Sequence, residues 1–427
     1  MQIPVEAYRL PNGLRIVLSE DRSAPVVAVN LWYHVGSANE WMGRTGFAHL
    51  FEHMLFQGSE HVGANEHFEL IQRAGGTLNG STWLDRTNYF ETVPSNQLAL
   101  ALWLEADRMG ALLPAMTQQK LDTQRDVVKN ERRWSVDNRP YGTWWERLPA
   151  LAFAPDHPFH HSLIGSMEDL SEASLDDVTE FFRTFYTPAN AVLTIAGDFE
   201  SGDARSLVSR YFSPIATGTS KPPLENLEVP VKFGEWRREV VEDDVTVPRL
   251  FMASRIPVFG TEAHYVASVC GAVLGMRRGS RLHKVLVREQ EVAFEVSCFT
   301  YDLSKGSDLL VVDAMARPGV SAERLEAAVV EQLDLLHGTG VTDAEASRAV
   351  ALIETSFISE MQSAGARADK LSQFETYLGD ASLVNTEPER YGKVTAAEVN
   401  AFARSQLGGD NRLSLTFVPR RESRSPR

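Results

Sequence analysis

Cysteine is nearly absent: the 427 residues contain two, Cys270 and Cys298. Two cysteines make no disulfide framework, and this pair is too far apart for a Cys-x-x-Cys element, so cysteine-ligated zinc is excluded. A reducing compartment is the simpler expectation. No run of eighteen apolar residues occurs, which excludes a predicted transmembrane helix. The opening stretch, MQIPVEAYRLPNGLRIVLSED, has no basic segment followed by an apolar one, so it does not read as a signal peptide. The cytoplasm is therefore expected, or the periplasm if a leader has been trimmed. Positive charge is in deficit, with 42 Lys and Arg against 57 Asp and Glu and a net charge of −15. That balance speaks against a nucleic-acid partner, whose usual counterpart is a basic surface. What is present, 43% hydrophobic and 23% charged residues, is the composition of a folded globular chain and excludes disorder, collagen and coiled coil.

The pattern along the chain mixes strands and helices. Alternating runs at Val5–Leu10 and Leu14–Leu18 flank Pro11-Asn12-Gly13 and predict a hairpin, with a longer strand at Val26–Val35. Helices are predicted over Gly46–Gln57, Asn65–Arg73, Ser95 to about Gly110, and Met116–Trp134. Strands are predicted at Thr77–Thr82, Asn88–Val93 and Val192–Ala196. A proline-rich, aperiodic stretch at 216–232 reads as a linker, giving domains 1–215 and 233–427. After it the order of elements restarts, with strands at Arg249–Ile256, Ala293–Phe299, Leu309–Ala316 and Leu413–Phe417, and long helices at Ser321–Leu336 and Asp343–Met361. Corresponding landmarks recur at an offset of about 220–230 residues, the signature of a duplicated domain. The expected fold class is α+β: two related domains, each a sheet covered by helices. The basic tail 420–427 reads as a frayed terminus.

The chemistry concentrates in His49-Leu50-Phe51-Glu52-His53. On a helix, residues four apart share a face, so both imidazoles can meet one ion, and Glu52 leans over the same face toward a water on it. A tetrahedral catalytic zinc takes three protein ligands and keeps one open position, so a third ligand must come from elsewhere. The helix predicted at Met116–Trp134 offers Glu131, with Asp122 and Asp126 as competitors.

HLFEH is the inverted zincin motif H-x-x-E-H. With Gly75–Thr82, Asp85, Thr87, Asn88 and Tyr89 following it, and with Asn130-Glu131-Arg132 just under eighty residues after the second histidine, it resembles the pitrilysin/insulinase family of zinc metallopeptidases. The similarity is to the zinc-bearing subunit of the mitochondrial processing peptidase type. The segments Asn138–Gly142, His157-Pro158-Phe159 and Ala196-Gly197-Asp198 are similar as well. The resemblance implies one Zn²⁺ per chain held by His49, His53 and Glu131. It implies an endopeptidase acting on peptides or unfolded protein segments, with zinc-bound water as nucleophile and Glu52 as general base. It also implies that Thr77–Thr82 is an edge strand to which a substrate peptide adds, with Asn79, Gly80 and Ser81 letting its backbone approach. The family tends to have an acidic residue seven positions before the ligand glutamate, where this chain has Gln124.

The second half has no metal motif. In the resembling family it supplies an Arg and a Tyr to the substrate, from a segment like Leu286–Val296. Arg288 is present, but Phe294 or Glu295 stands where the Tyr belongs. The resemblance thus implies half of a clamshell, completed by a related subunit lacking the zinc motif in a heterodimer. A homodimer using Arg288 with another hydroxyl, such as Tyr301, is the rival. The alternative function is a non-catalytic structural or peptide-binding subunit. Outside the motif, His157, His160 and His161 read as a surface loop, Trp32-Tyr33 as core strand, and Trp134, Trp144 and Trp145 as chamber lining or packing.

Overall fold

The computed structural model describes residues 2–420 except 42, 219, 220, 223, 226 and 304, so all but Arg420 of the tail read at 420–427 lies outside the described residues. The strands are β1 (Glu6–Arg9), β2 (Arg15–Glu20), β3 (Val26–Tyr33), β4 (Thr77–Thr82), β5 (Thr87–Pro94), β6 (Ala191–Gly197), β7 (Trp236–Asp243), β8 (Arg249–Ile256), β9 (Ala293–Tyr301), β10 (Asp308–Ala316) and β11 (Arg412–Pro419). The helices that matter to the site and the core are α1 (Phe47–Met54), α2 (Leu98–Ala111), α3 (Gln118–Arg132), α4 (Trp144–Ala152), α5 (Glu262–Gly275), α6 (Ala322–Thr339) and α7 (Ala364–Leu378).

Two sheets form, one ordered β1-β2-β6-β3-β5-β4 and the other β7-β11-β8-β10-β9. In the first, β2 and β6 run parallel and the remaining neighbours antiparallel. In the second, β7 and β11 run parallel and the rest antiparallel. Apart from β1, the two sheets therefore match strand for strand in order, direction and chain sequence. The mixed α+β fold and the repeat read from the element order are both present.

The chain divides into two compact units, each gathered from three stretches. The first contains residues 1–132, 161–225 and 358–386, the second 133–160, 226–357 and 387–427. The passage at 225/226 falls within the proline-rich stretch 216–232. Chain order and compactness nevertheless divide the molecule differently, because two helices are exchanged. Helix α7 comes from the second half of the sequence and packs on β3 and β6 of the first sheet, whereas α4 comes from the first half and packs on β11 of the second.

Each exchange has a visible anchor. In the first unit, Asp369 Oδ1 on α7 accepts hydrogen bonds from Trp32 Nε1 at 2.9 Å, Asn30 Nδ2 at 3.1 Å and Asn88 Nδ2 at 3.1 Å. Ala364 and Ala368 pack against Ala28 and Ala196, small residues that let the helix lie close to the sheet. Helix α2 packs on β3 and β5 of the same sheet, and every residue of β6 is buried. Trp32 and Tyr33 are core, as expected. In the second unit, Trp144 stacks flat on Phe251 at 4.6 Å, so it serves packing. The histidine loop departs from its surface reading: His157 is buried, because its ring stacks on Phe153 at 4.5 Å and its Nδ1 accepts from Phe159 N.

Replacing Asp369 with Ala removes one acceptor from three side-chain donors, and leaving a buried polar group unsatisfied costs of order 1–3 kcal/mol. We expect Asp369→Ala to lower unfolding stability by about 2 kcal/mol, measured by urea denaturation, while Asp369→Asn, which keeps a carbonyl acceptor, loses less.

Candidate metal centre

Helix α1 is set in place from both ends of its geometry. Phe47, Leu50, Phe51 and Met54 are all buried, a spacing that makes one continuous apolar stripe on a 3.6-residue helix. His49, Glu52 and His53 fall on the opposite side. At the N-terminus, the Glu40 carboxylate accepts from Gly46 N and Ala48 N, both at 2.8 Å, and so satisfies amides that have no partner inside the helix. Gly46 precedes the first turn with φ +86, and a Cβ there would come within 2.5 Å of Ile164 O, so only glycine fits.

The C-terminal end of α3 packs against α1 and delivers Glu131. Its Oε2 lies 3.1 Å from His53 Nε2 and its Oε1 3.6 Å from His49 Nε2. The two imidazoles stand edge to face, with centroids 4.8 Å apart. One donor atom from each of the three residues falls within 4.8 Å of the others. The competing carboxylates are elsewhere: Asp122 and Asp126 are exposed, and Asp122 pairs with Arg125 and Gln118 on its own helix. Gln124 is buried.

Electrostatics favour ligand chemistry at these atoms. Burial pushes the His49 pKa down to about 4, helped by the neighbouring His53, so its ring is neutral at physiological pH and keeps a lone pair. Glu131 is held below the usual carboxylate range, chiefly by its hydrogen bond with His53 and against the opposing effect of burial. The 3.6 Å separation of His49 Nε2 from Glu131 is too long for a hydrogen bond. It suits two ligands of one ion whose bonds are roughly 2.0–2.2 Å. Two imidazoles and a carboxylate form one of the ligand sets of catalytic zinc, so the residues present fit that metal.

Glu52 occupies the space between this cluster and the edge of the sheet. Its Oε2 accepts from Thr82 Oγ1 at 2.7 Å. Burial raises its pKa above the usual carboxylate value, and the Thr82 hydrogen bond and His53 partly offset that rise. Gly80 faces it directly: a Cβ there would meet Glu52 Cγ at 3.1 Å and Phe56 Cε2 at 3.2 Å. Thr82 is the residue that sequence reasoning passed over. The alternation of a strand could have found it, since Gly80 and Thr82 share the face of β4 turned toward α1.

On the other face of β4 a cavity of about 520 Å³ opens, lined by Asn79, Ser81, Arg86, Asn88, Phe90 and Asp369 among others. The structure thus brings His49, Glu52, His53, Glu131, Gly80 and Thr82 together, with Asn79 and Ser81 on the reverse of the same strand. Arg288 belongs to the second unit, exposed in the turn of helix His283–Glu289. In that unit Phe294 is exposed, whereas Tyr301 is buried. A second His-and-acid group, His67, Glu91 and Glu105, is closed by the buried Arg108, which pairs with Glu105 and lies 3.8 Å from Glu91.

Comparison with known proteins agrees with this geometry. Residues 15–158 match the family model described as insulinase (peptidase family M16), and residues 172–353 match that of the peptidase M16 inactive domain. The zinc protease PqqE of Helicobacter pylori is 30% identical over 374 residues, covering 86% of this chain and 83% of that protein. The chain belongs to peptidase family M16, the insulinase family. A zinc protease of Mycobacterium leprae is 27% identical over 93% of this chain and 88% of its own length. The crystal structure of a protease from Helicobacter pylori superimposes with a TM-score of 0.90 at 26% identity, covering 98% of this chain and 100% of that one. Among the described residues, no helix of this M16 chain is long and apolar enough to cross a membrane.

The placement of the three donors separates Glu131 from its helix neighbours. Glu131→Ala should weaken zinc binding by more than the roughly 10–100-fold that loss of a supporting residue costs, whereas Asp122→Ala and Asp126→Ala should leave it unchanged, as read by equilibrium dialysis. Retention in Glu131→Ala with loss in Asp126→Ala would transfer the ligand role to Asp126.

Proposed function

We propose that this chain is a zinc metallopeptidase that hydrolyses peptides or unfolded protein segments, with one zinc held by His49, His53 and Glu131. The observation that supports it most is the convergence of these three donors with a half-buried carboxylate, Glu52, beside the edge strand β4. When bound there, zinc supplies a Lewis acid that polarises a carbonyl and makes a water nucleophilic near neutral pH.

Glu52 does the proton work. Thr82 holds its Oε2, which leaves Oε1 to take a proton from the attacking water and return it to the departing amine. A base with a pKa raised toward the working pH accepts that proton and releases it with little waste in driving force. The edge of β4 binds substrate. Among the described residues no strand pairs with its outer edge, so an extended peptide adds to the sheet through main-chain hydrogen bonds. Gly80 brings that backbone close to Glu52, and alternate side chains of the added strand point to the cavity beside Asn79 and Ser81. Arg288 is proposed to contact substrate. Because Phe294 and Glu295 lack a phenol hydroxyl, a related chain that lacks the zinc motif but has an Arg–Tyr pair is proposed to complete the site as a heterodimer.

A non-catalytic peptide-binding subunit is the competing reading, favoured by the match of residues 172–353 to the inactive-domain model. The two separate on one assay. Purified chain, loaded with zinc, should cleave unstructured peptides, and Glu52→Gln should retain the metal and lose at least about 10²-fold in rate, the scale of general-base catalysis. Zinc bound without hydrolysis by the chain or by the chain with a related subunit would favour the competing reading.

The Thr82 hydrogen bond lowers the Glu52 pKa, so Thr82→Val should raise it. Since the base must be deprotonated, the acidic limb of the pH–rate profile should move to higher pH while zinc content stays constant. The heterodimer is checked by mass and rate together: the chain alone should be slower by about 10²–10³, the cost of a missing oxyanion donor, than with the complementing subunit. Full activity as a homodimer would exclude it.

A further inference from the structure

The cavity on the reverse of β4 is lined by two side chains of opposite charge, Arg86 and Asp369. Its floor follows from the register of the sheet. Ser81 pairs with Asn88, and Asn79 pairs with Phe90, which pairs in turn with Asn30. Gly365 and Ala366, in the first turn of α7, line it with little side-chain bulk, so the space stays open.

Both charged groups are half-buried. Arg86 precedes β5, and its Nη1 donates to Ser81 O at 3.1 Å and to Asn88 Oδ1 at 2.8 Å. Its guanidinium lies 5.4 Å from the centre of the Trp32 ring. Asp369 enters from α7, with Oδ1 accepting from Asn30, Trp32 and Asn88. Among the described residues neither Arg86 nor Asp369 forms an ion pair. The carboxamide of Asn88 stands between them, its oxygen accepting from Arg86 and its nitrogen donating to Asp369. A guanidinium has five N–H donors and a carboxylate two acceptor oxygens. Arg86 Nε and Nη2 and Asp369 Oδ2 therefore keep capacity that no described residue uses.

A side chain entering this space meets both charges. A carboxylate gains from Arg86 and is repelled by Asp369, and an ammonium gains from Asp369 and is repelled by Arg86. An aliphatic side chain displaces water and leaves both groups without a partner. A carboxamide offers an oxygen to Arg86 and an NH₂ to Asp369, the pairing that Asn88 already shows, and carries no charge.

We propose that this cavity is a specificity pocket for a substrate carboxamide side chain, Gln or Asn, with Arg86 and Asp369 as the residues that select it. The proposal rests on the reading of β4 as the strand to which substrate adds. A substrate residue beside Asn79 or Ser81 turns its side chain to the cavity, whereas its neighbour beside Gly80 faces Glu52. The selected residue therefore stands at a fixed offset from the bond cleaved.

The test measures binding apart from hydrolysis. The full chain with Glu52→Gln, loaded with zinc, is titrated into a short fluorescent peptide of Ala and Thr that carries one guest residue, and affinity is read by anisotropy. The Gln guest should bind about tenfold tighter than Glu, Lys or Leu, the scale of one charge-assisted hydrogen bond. Adding Arg86→Met should make Lys the tightest guest, and adding Asp369→Asn should make Glu the tightest, because each leaves the other charge alone in the cavity. A general loss of structure would not produce opposite shifts. Equal affinity for the four guests, or a Gln preference unchanged in both variants, would overturn the pocket. Hydrolysis by the unsubstituted chain is scored separately. Gln-selective binding without hydrolysis would support the pocket and count against the peptidase reading. Hydrolysis with equal affinity for every guest would sustain that reading and overturn the pocket.

Discussion

The burial of one side of helix α1 is the constraint on which the candidate site depends. Phe47, Leu50, Phe51 and Met54 are driven into the core by ordinary apolar burial, and the helical repeat then leaves His49, Glu52 and His53 no choice of direction. The Glu40 carboxylate fixes the helix at its N-terminus, and Gly46 allows the sharp entry there. Two further elements converge on the exposed side: the end of α3 with Glu131, and the edge strand β4 with Gly80 and Thr82. Apolar packing thus sets the direction of the histidines, and the polar contacts of Glu40 and Thr82 fix the helix end and Glu52.

The same burial sets the charges. It removes water from His49 and Glu52 and pushes both toward neutrality, the histidine by lowering its pKa and the carboxylate by raising it. A neutral imidazole is a ligand, and a carboxylate made more basic by burial is a better proton acceptor. Glu131, more exposed and bonded to His53, moves the other way and stays charged. Three titratable groups gathered at one place from two helices are therefore differentiated by their surroundings alone.

The duplication explains how such a site sits in a chain of two matching sheets. Both have the same order and direction of strands, yet only the first has the histidine pair on the helix that follows its second long strand. The reciprocal exchange of α4 and α7 makes each compact unit depend on sequence from both halves. Asp369, nearly three hundred residues from Asn88 in sequence, ends up hydrogen bonded to it at the sheet that also presents β4.

What the sequence determined by itself is local. The strands β3, β4 and β5, the apolar stripe of α1, the repeat of element order and the four-residue spacing of His49 and His53 were all legible, because each is read from residues close together in the chain. Glu131 was legible as one of three carboxylates on a helix and became specific only through resemblance. Tertiary structure alone decided that α3 ends beside α1, that Thr82 holds Glu52, that His157 is buried, and that α4 and α7 change sheets. Those outcomes rest on contacts between segments tens to hundreds of residues apart, where no periodicity in the chain records the partner. The pKa of Glu52 belongs with them, since a carboxylate's charge depends on the water its neighbours exclude, and a sequence does not state how much is excluded.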